Sequence, residues 1–180
     1  MCVPLVRLFR AGLLTGVIDG LWAIGLTMAY GRSIPRLWQG VAATPFGKQM
    51  LDGGAATVAL GIALHFCVAL GWSAVFLLLF TRWRWLAGVL ESRYGLLKVA
   101  AVYGSLIWIV MSVIVIPAFT RTSPTISYRW LIQLAGHMVF VGLPIVWGST
   151  FSRPAPRRIF GESNAERSRL SAGHPAGAGK

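Results

Sequence analysis

The chain has 180 residues, of which 56% are hydrophobic and only 12% are charged. Soluble domains carry about twice that charged fraction, so the composition excludes an ordinary soluble protein and leaves no length for a separate catalytic domain. The net charge of +12 does not indicate nucleic acid as a partner, because the basic residues lie in the gaps between apolar segments.

Four apolar segments have the length of membrane-spanning helices: residues 11–30, 54–80, 99–119 and 130–151. About 20 apolar residues cross a hydrocarbon core of roughly 30 Å. The first segment follows Arg7 and Arg10 as a signal peptide would, but it is longer than the apolar part of such a signal, so we interpret it as a retained helix. The sequence therefore predicts an all-α, polytopic membrane protein whose residues 1–152 form an antiparallel bundle of four transmembrane helices.

Small residues line one face of the first segment. Gly12, Gly16 and Gly20 repeat every four residues, and Asp19 falls on the same stripe. Residues at this spacing share a helix face, and small side chains let a second helix approach closely. Asp19 is therefore expected to face protein rather than lipid.

The first connection, residues 31–53, is the longest one, and its proline and glycine residues are expected to break it into short pieces. Leu37, Trp38 and Val41 suit a short helix in the headgroup layer. We interpret this connection as a loop that lies on the membrane. The alternative is a cap or gate over the bundle.

Two further segments each carry a histidine on a face that is expected to be internal. Gly61 and His65 share a face of the second segment, and Gln133 and His137 share one of the fourth. The third segment is the least polar. Pro144 removes a backbone donor and predicts a kink near Phe140.

Three ionisable residues fall close to one depth. At 1.5 Å per residue, Asp19, His65 and His137 lie within a layer roughly 7 Å thick. Ionisable residues inside a membrane are costly and mark functional sites. We therefore predict a polar cluster, with helix-packing glycines beside it: the cluster is Asp19, His65, His137 and Gln133, and the glycines are Gly12, Gly16, Gly20 and Gly61.

The polar cluster is compatible with several roles. Aspartate and histidine can pair and hold helices together, and they also recur in proton relays. Two histidines and a carboxylate suit zinc or iron, but no short-spaced motif supports a metal, and no serine lies in a nucleophile motif. The prediction is proton-linked or small-solute transport, with no cofactor, metal or catalytic residue. The alternative is a structural or accessory membrane subunit whose polar cluster only holds the helices together.

The basic residues predict the orientation. Twelve Lys and Arg residues lie on the side of the two termini and five on the other side, so both termini are expected in the cytoplasm. Residues 153–180 form a basic tail whose composition predicts disorder. The expected partners are the lipid bilayer and either a second copy or a membrane subunit, because one protomer is small for a solute path.

Three stretches resemble a group of small, uncharacterised bacterial four-helix inner-membrane proteins. They are TGVIDG (residues 15–20), GGAATVALGIALHF (residues 53–66) and HMVFVGLPI (residues 137–145). The resemblance covers about residues 8–150 and includes Asp19, His65 and His137. It implies the four-helix fold and a bacterial inner-membrane location, and it implies no activity, substrate or cofactor.

Overall fold

The computed structural model describes residues 2–150, with side chains from Leu5 onward. Within that range every regular element is helical and no strand is present. In chain order the helices are α1 (Cys2–Ala29), α2 (Ile34–Phe46), a 3₁₀ helix (Lys48–Asp52), α3 (Gly54–Arg82), α4 (Arg84–Leu90), α5 (Gly95–Thr120) and α6 (Tyr128–Thr150). The predicted tail, residues 153–180, lies outside the described residues.

Four of these helices are apolar and long enough to cross a membrane: α1, α3, α5 and α6. This part of the prediction is confirmed. The main difference is that α1 begins well before residue 11. Arginine is a good helix former, so Arg7 and Arg10 can continue the helix, and Arg10 also donates to the carbonyl oxygen of Gly148 in α6 at 2.5 and 3.1 Å.

The first connection is divided into two short pieces, as predicted: the 13-residue helix α2, which contains Leu37, Trp38 and Val41, and the 3₁₀ helix Lys48–Asp52. It is helical rather than a loop. Proline lies in the first turn of α2, where no backbone donor is needed, and Gly47 follows its last residue with a φ of 92°. Proline and glycine therefore delimit this element. Trp38 and Gln39 are buried, and the Gln39 side chain donates to the carbonyl oxygen of Gly54 at 3.4 Å.

Helices α5 and α6 share an irregularity. Each contains a six-residue π-helical segment, Val110–Val115 and His137–Gly142, and a proline follows each segment two residues later, at Pro117 and Pro144. Proline lacks an N–H group and clashes with the carbonyl four residues earlier, and a π turn accommodates such a disruption. The predicted distortion before Pro144 therefore takes the form of a π segment.

A cluster of buried hydrophobic side chains forms the core at one side of the cavity described below. It joins the end of α3 to the beginning of α5 and the end of α6 through Phe76, Tyr103 and Ile145, among others. The Tyr103 hydroxyl donates to the carbonyl oxygen of Trp72 at 2.7 Å, which joins α5 to α3. A cavity adjoins this core, and Ile107, Val141 and Ile145 border both.

Candidate functional site

A cavity of about 380 Å³ lies between α1, α2, α3, α5 and α6. Most of its lining is apolar, and its polar lining residues are Thr15, Asp19, Thr44, His65 and His137, together with the indoles of Trp72 and Trp108. The cavity is partly open, and its most exposed lining residues are apolar. The exposed lining residues are Pro45, Val68 and Phe119, of which Val68 is 41% and Phe119 is 60% exposed, so the cavity borders the outer surface at α2, α3 and α5.

Asp19 is on the α1 wall of the cavity and is half-buried. Its carboxylate makes no hydrogen bond and no ion pair with any described residue. Both His137 and His65 lie within range of an electrostatic interaction with it. The carboxylate therefore retains its full capacity to accept hydrogen bonds.

The His65 ring is held between three elements. Its Nε2 lies 2.9 Å from the carbonyl oxygen of Gly16 in α1, and its ring meets those of Trp38 and Phe66 edge-on, with centroids 5.3 and 5.7 Å away. A carbonyl only accepts, so Nε2 carries the proton and donates. In the neutral ring Nδ1 is then an acceptor, and it has no hydrogen-bond partner among the described residues.

The His137 ring has the opposite tautomer. Its Nδ1 lies 2.8 Å from the carbonyl oxygen of Gln133, one turn earlier in α6, so Nδ1 donates and Nε2 is the acceptor of the neutral ring. The ring packs against the indole of Trp108 with a centroid distance of 4.7 Å. His65 thus bonds to a neighbouring helix, whereas His137 bonds within its own helix.

Gln133 was predicted in the polar cluster but does not line the cavity. Its side-chain oxygen accepts from the indole N–H of Trp22 at 3.3 Å. It contributes to the site only through its backbone carbonyl, which orients His137.

The predicted packing glycines lie at helix contacts. Gly12 faces Leu70, Gly16 faces Phe66, and Gly20 faces His65 and Trp38. A side chain on Gly61 would collide with the backbone carbonyl of Trp38. The first three bring α1 against α3, and Gly61 brings α3 against α2.

The structure does not support a fully enclosed, mutually bonded Asp/His cluster. No charged residue is fully buried in the described range, and Asp19, His65 and His137 are each half-buried. They line one cavity, but each imidazole bonds to a backbone carbonyl rather than to Asp19. Within residues 2–150, no group of His, Cys, Asp and Glu side chains has an arrangement that holds a metal ion.

Sequence reasoning missed two polar groups beside the cavity. Thr15 is 1% exposed, and its hydroxyl, like the indole N–H of Trp108, is buried with no hydrogen-bond partner. Thr15 lies one turn before Asp19, so its position on the glycine stripe was visible. Helical threonines ordinarily donate to the carbonyl four residues earlier, and only the structure shows that Thr15 does not.

Comparisons with protein-family models, with curated proteins and with solved structures found no match for this chain. The resemblance to small bacterial inner-membrane proteins therefore remains a prediction.

Proposed function

We propose that this chain is a multi-pass protein of the bacterial inner membrane, and that its cavity carries a small solute across the bilayer. In this proposal α1, α3, α5 and α6 span the membrane as an antiparallel bundle with both termini in the cytoplasm. Movement of the solute is linked to the polar residues of the cavity wall.

Two contacts at opposite ends of α1 support the antiparallel arrangement. Arg10, near the start of α1, binds the carbonyl of Gly148 near the end of α6. The Arg129 guanidinium, at the start of α6, lies over the ring of Tyr30, which follows α1, at 4.4 Å from its centroid. The length and composition of the four apolar helices support membrane insertion.

The observation that carries the transport proposal is the composition of the cavity wall. Three separate helices contribute Asp19, His65 and His137 to a mostly apolar space that is partly open. Polar groups of this kind are costly inside a membrane protein and mark substrate or proton pathways. A space of this volume lies within the range of small-molecule sites.

Uptake by reconstituted protein tests this proposal. Liposomes containing the purified chain are supplied with one cation, one anion with the same alkyl tail and one neutral polyol: butylguanidinium, butanesulfonate and erythritol. At least one solute should enter faster than in protein-free liposomes. Asp19→Asn should slow uptake of butylguanidinium about tenfold, the effect of losing one hydrogen bond to a charged group. Asp52→Asn, which changes an exposed carboxylate outside the cavity, should leave uptake unchanged.

A structural or accessory role is the second candidate, because the His65 bond to Gly16 ties α3 to α1. If this role is the whole function, His65→Ala lowers the melting temperature more than His137→Ala, whose bond lies within one helix. In that case none of the three solutes enters the liposomes, and the transport proposal is wrong.

A further inference from the structure

The two backbone bonds of the histidines give the three ionisable groups of the cavity wall the same hydrogen-bonding character. Because Nε2 of His65 and Nδ1 of His137 donate to carbonyl oxygens, the remaining nitrogen of each neutral ring can only accept. The Asp19 carboxylate also only accepts. The three groups therefore offer acceptors to whatever occupies the space between them.

Within the described residues, the cavity wall also has no Lys or Arg side chain that could neutralise the carboxylate of Asp19, and Asp19 forms no ion pair. An unpaired carboxylate in a mostly apolar surrounding is destabilised unless a cation or a set of donors compensates it. The face of an indole attracts cations, and both Trp72 and Trp108 line the same cavity.

Two other polar groups of the wall do not reach the occupant. The hydroxyl of Thr15 and the indole N–H of Trp108 are buried with no hydrogen-bond partner, and both atoms are closed to a water-sized molecule. The acceptors that an occupant meets are therefore those of Asp19, His65 and His137.

The rest of the cavity fits an apolar body. Most of the lining is aliphatic or aromatic, and the lining residues Val68 and Phe119 are exposed. A fully hydrated inorganic cation would lose its water against such a surface. An amphiphile with an apolar tail would place the tail here and its polar head against Asp19.

We infer that the cavity binds a small lipophilic ammonium or guanidinium ion, whose N–H groups donate to Asp19, His65 and His137 while its tail lies along the apolar wall. The inference rests on the proposed function, because it names the class of solute for the same cavity. It requires N–H donors as well as positive charge, and this distinguishes it from general attraction of cations.

Binding to the full chain in lipid nanodiscs at pH 8 tests the inference, with tryptophan fluorescence as the readout. The probes share one six-carbon tail: hexylammonium, hexyltrimethylammonium, hexanol and hexanoate, with empty nanodiscs correcting for partition into lipid. Hexylammonium should bind about tenfold or more tightly than hexyltrimethylammonium, because only the former donates charge-assisted hydrogen bonds. The chain has eight tryptophans. Trp108→Phe should reduce the fluorescence change, and this result would assign the signal to the cavity.

The Asp19→Asn variant supplies the second comparison. It should lose about tenfold of its affinity for hexylammonium and little of its affinity for hexanol, whereas Asp52→Asn should bind both as the wild type does. Equal binding of the ammonium and trimethylammonium probes by the wild type would overturn the inference without any variant. So would preferential binding of hexanoate.

The two proposals fail in different ways. Uptake of butanesulfonate or erythritol without hexylammonium binding would overturn the ammonium site and leave transport intact. Hexylammonium binding that depends on Asp19, together with no uptake of butylguanidinium, would overturn transport and leave the site intact.

Discussion

Single glycines decide how closely the helices approach around the cavity. A Cβ on Gly61 would collide with the carbonyl of Trp38, and a Cβ on Gly104 would collide with the carbonyl of His137. Backbone atoms cannot turn aside as a flexible side chain can, so these contacts require glycine. The Gly61 contact fixes the position of Trp38, whose ring packs against His65. The Gly104 contact fixes the position of His137.

We expect Gly61→Leu to lower the free energy of unfolding by at least about 1–3 kcal/mol, because the new side chain would force α2 away from α3. Gly71→Leu is the matched control, since Gly71 lies in the same helix, is exposed and has open space around it. Unfolding in mixed micelles of increasing SDS content measures both variants. Equal stability of the two leucine variants would show that α2 does not rest on Gly61.

The spacing of residues along the helices predicted part of the site, and the remaining features depend on contacts between side chains and neighbouring helices. The glycine stripe of α1 placed Asp19 on a face directed at other helices, and Asp19 lies on the cavity wall. The tautomers of His65 and His137 were not predictable, because they depend on carbonyl groups within reach of the rings. Gln133 shares a helical face with His137, but Trp22 engages its side chain away from the cavity.

Among the elements, the two π-helical segments are the ones that shape the site. They contribute Met111 and Val115 from α5, and His137 and Val141 from α6, to the lining. A π turn contains one more residue than an α turn, so it rotates the preceding part of the helix relative to the part that follows. The direction of His137 therefore depends on Pro144, seven residues later.

Replacing Pro144 with alanine restores a backbone donor and removes the clash with the carbonyl of Phe140. We expect α6 to return to regular α-helical hydrogen bonding, because proline is about 3 kcal/mol less favourable than alanine inside a helix. The melting temperature should stay the same or rise. The His137 side chain would then point away from the cavity. The affinity for hexylammonium should therefore fall about tenfold, as expected for the loss of one charged hydrogen bond.

Pro35→Ala is the control for this experiment, since Pro35 lies in the first turn of α2, where proline is well tolerated. It should change neither the melting temperature nor the affinity by a large amount. Loss of affinity in both variants would mean that the π segment of α6 does not orient the site. The sequence located this irregularity through Pro144 but not its form, because a kink, a bend and a π turn all relieve the same clash.

For the whole molecule, segment length and composition were enough to predict four apolar helices. They were not enough to predict how unevenly these helices pack. Side chains around Phe76 and Tyr103 form a core, while a cavity remains beside Asp19 and His65. Nothing in the apolar pattern of α3 or α5 distinguishes these two regions, since close packing depends on which large side chains meet across the helices.

The orientation in the membrane is the property of the whole molecule that the charge pattern predicts most directly. More Lys and Arg residues flank the termini and the connection between α3 and α5 than flank the other two connections, and such residues remain in the cytoplasm. Ser33 and Ser92 form a matched pair for testing this, because both are exposed serines in different connections. In a chain with both native cysteines replaced by serine, Ser33→Cys should react with a membrane-impermeant maleimide on intact spheroplasts. Ser92→Cys should react only after the spheroplasts are permeabilised. The reverse pattern would invert the predicted orientation, and equal labelling of both sites before permeabilisation would contradict an arrangement in which α3 crosses the bilayer between them.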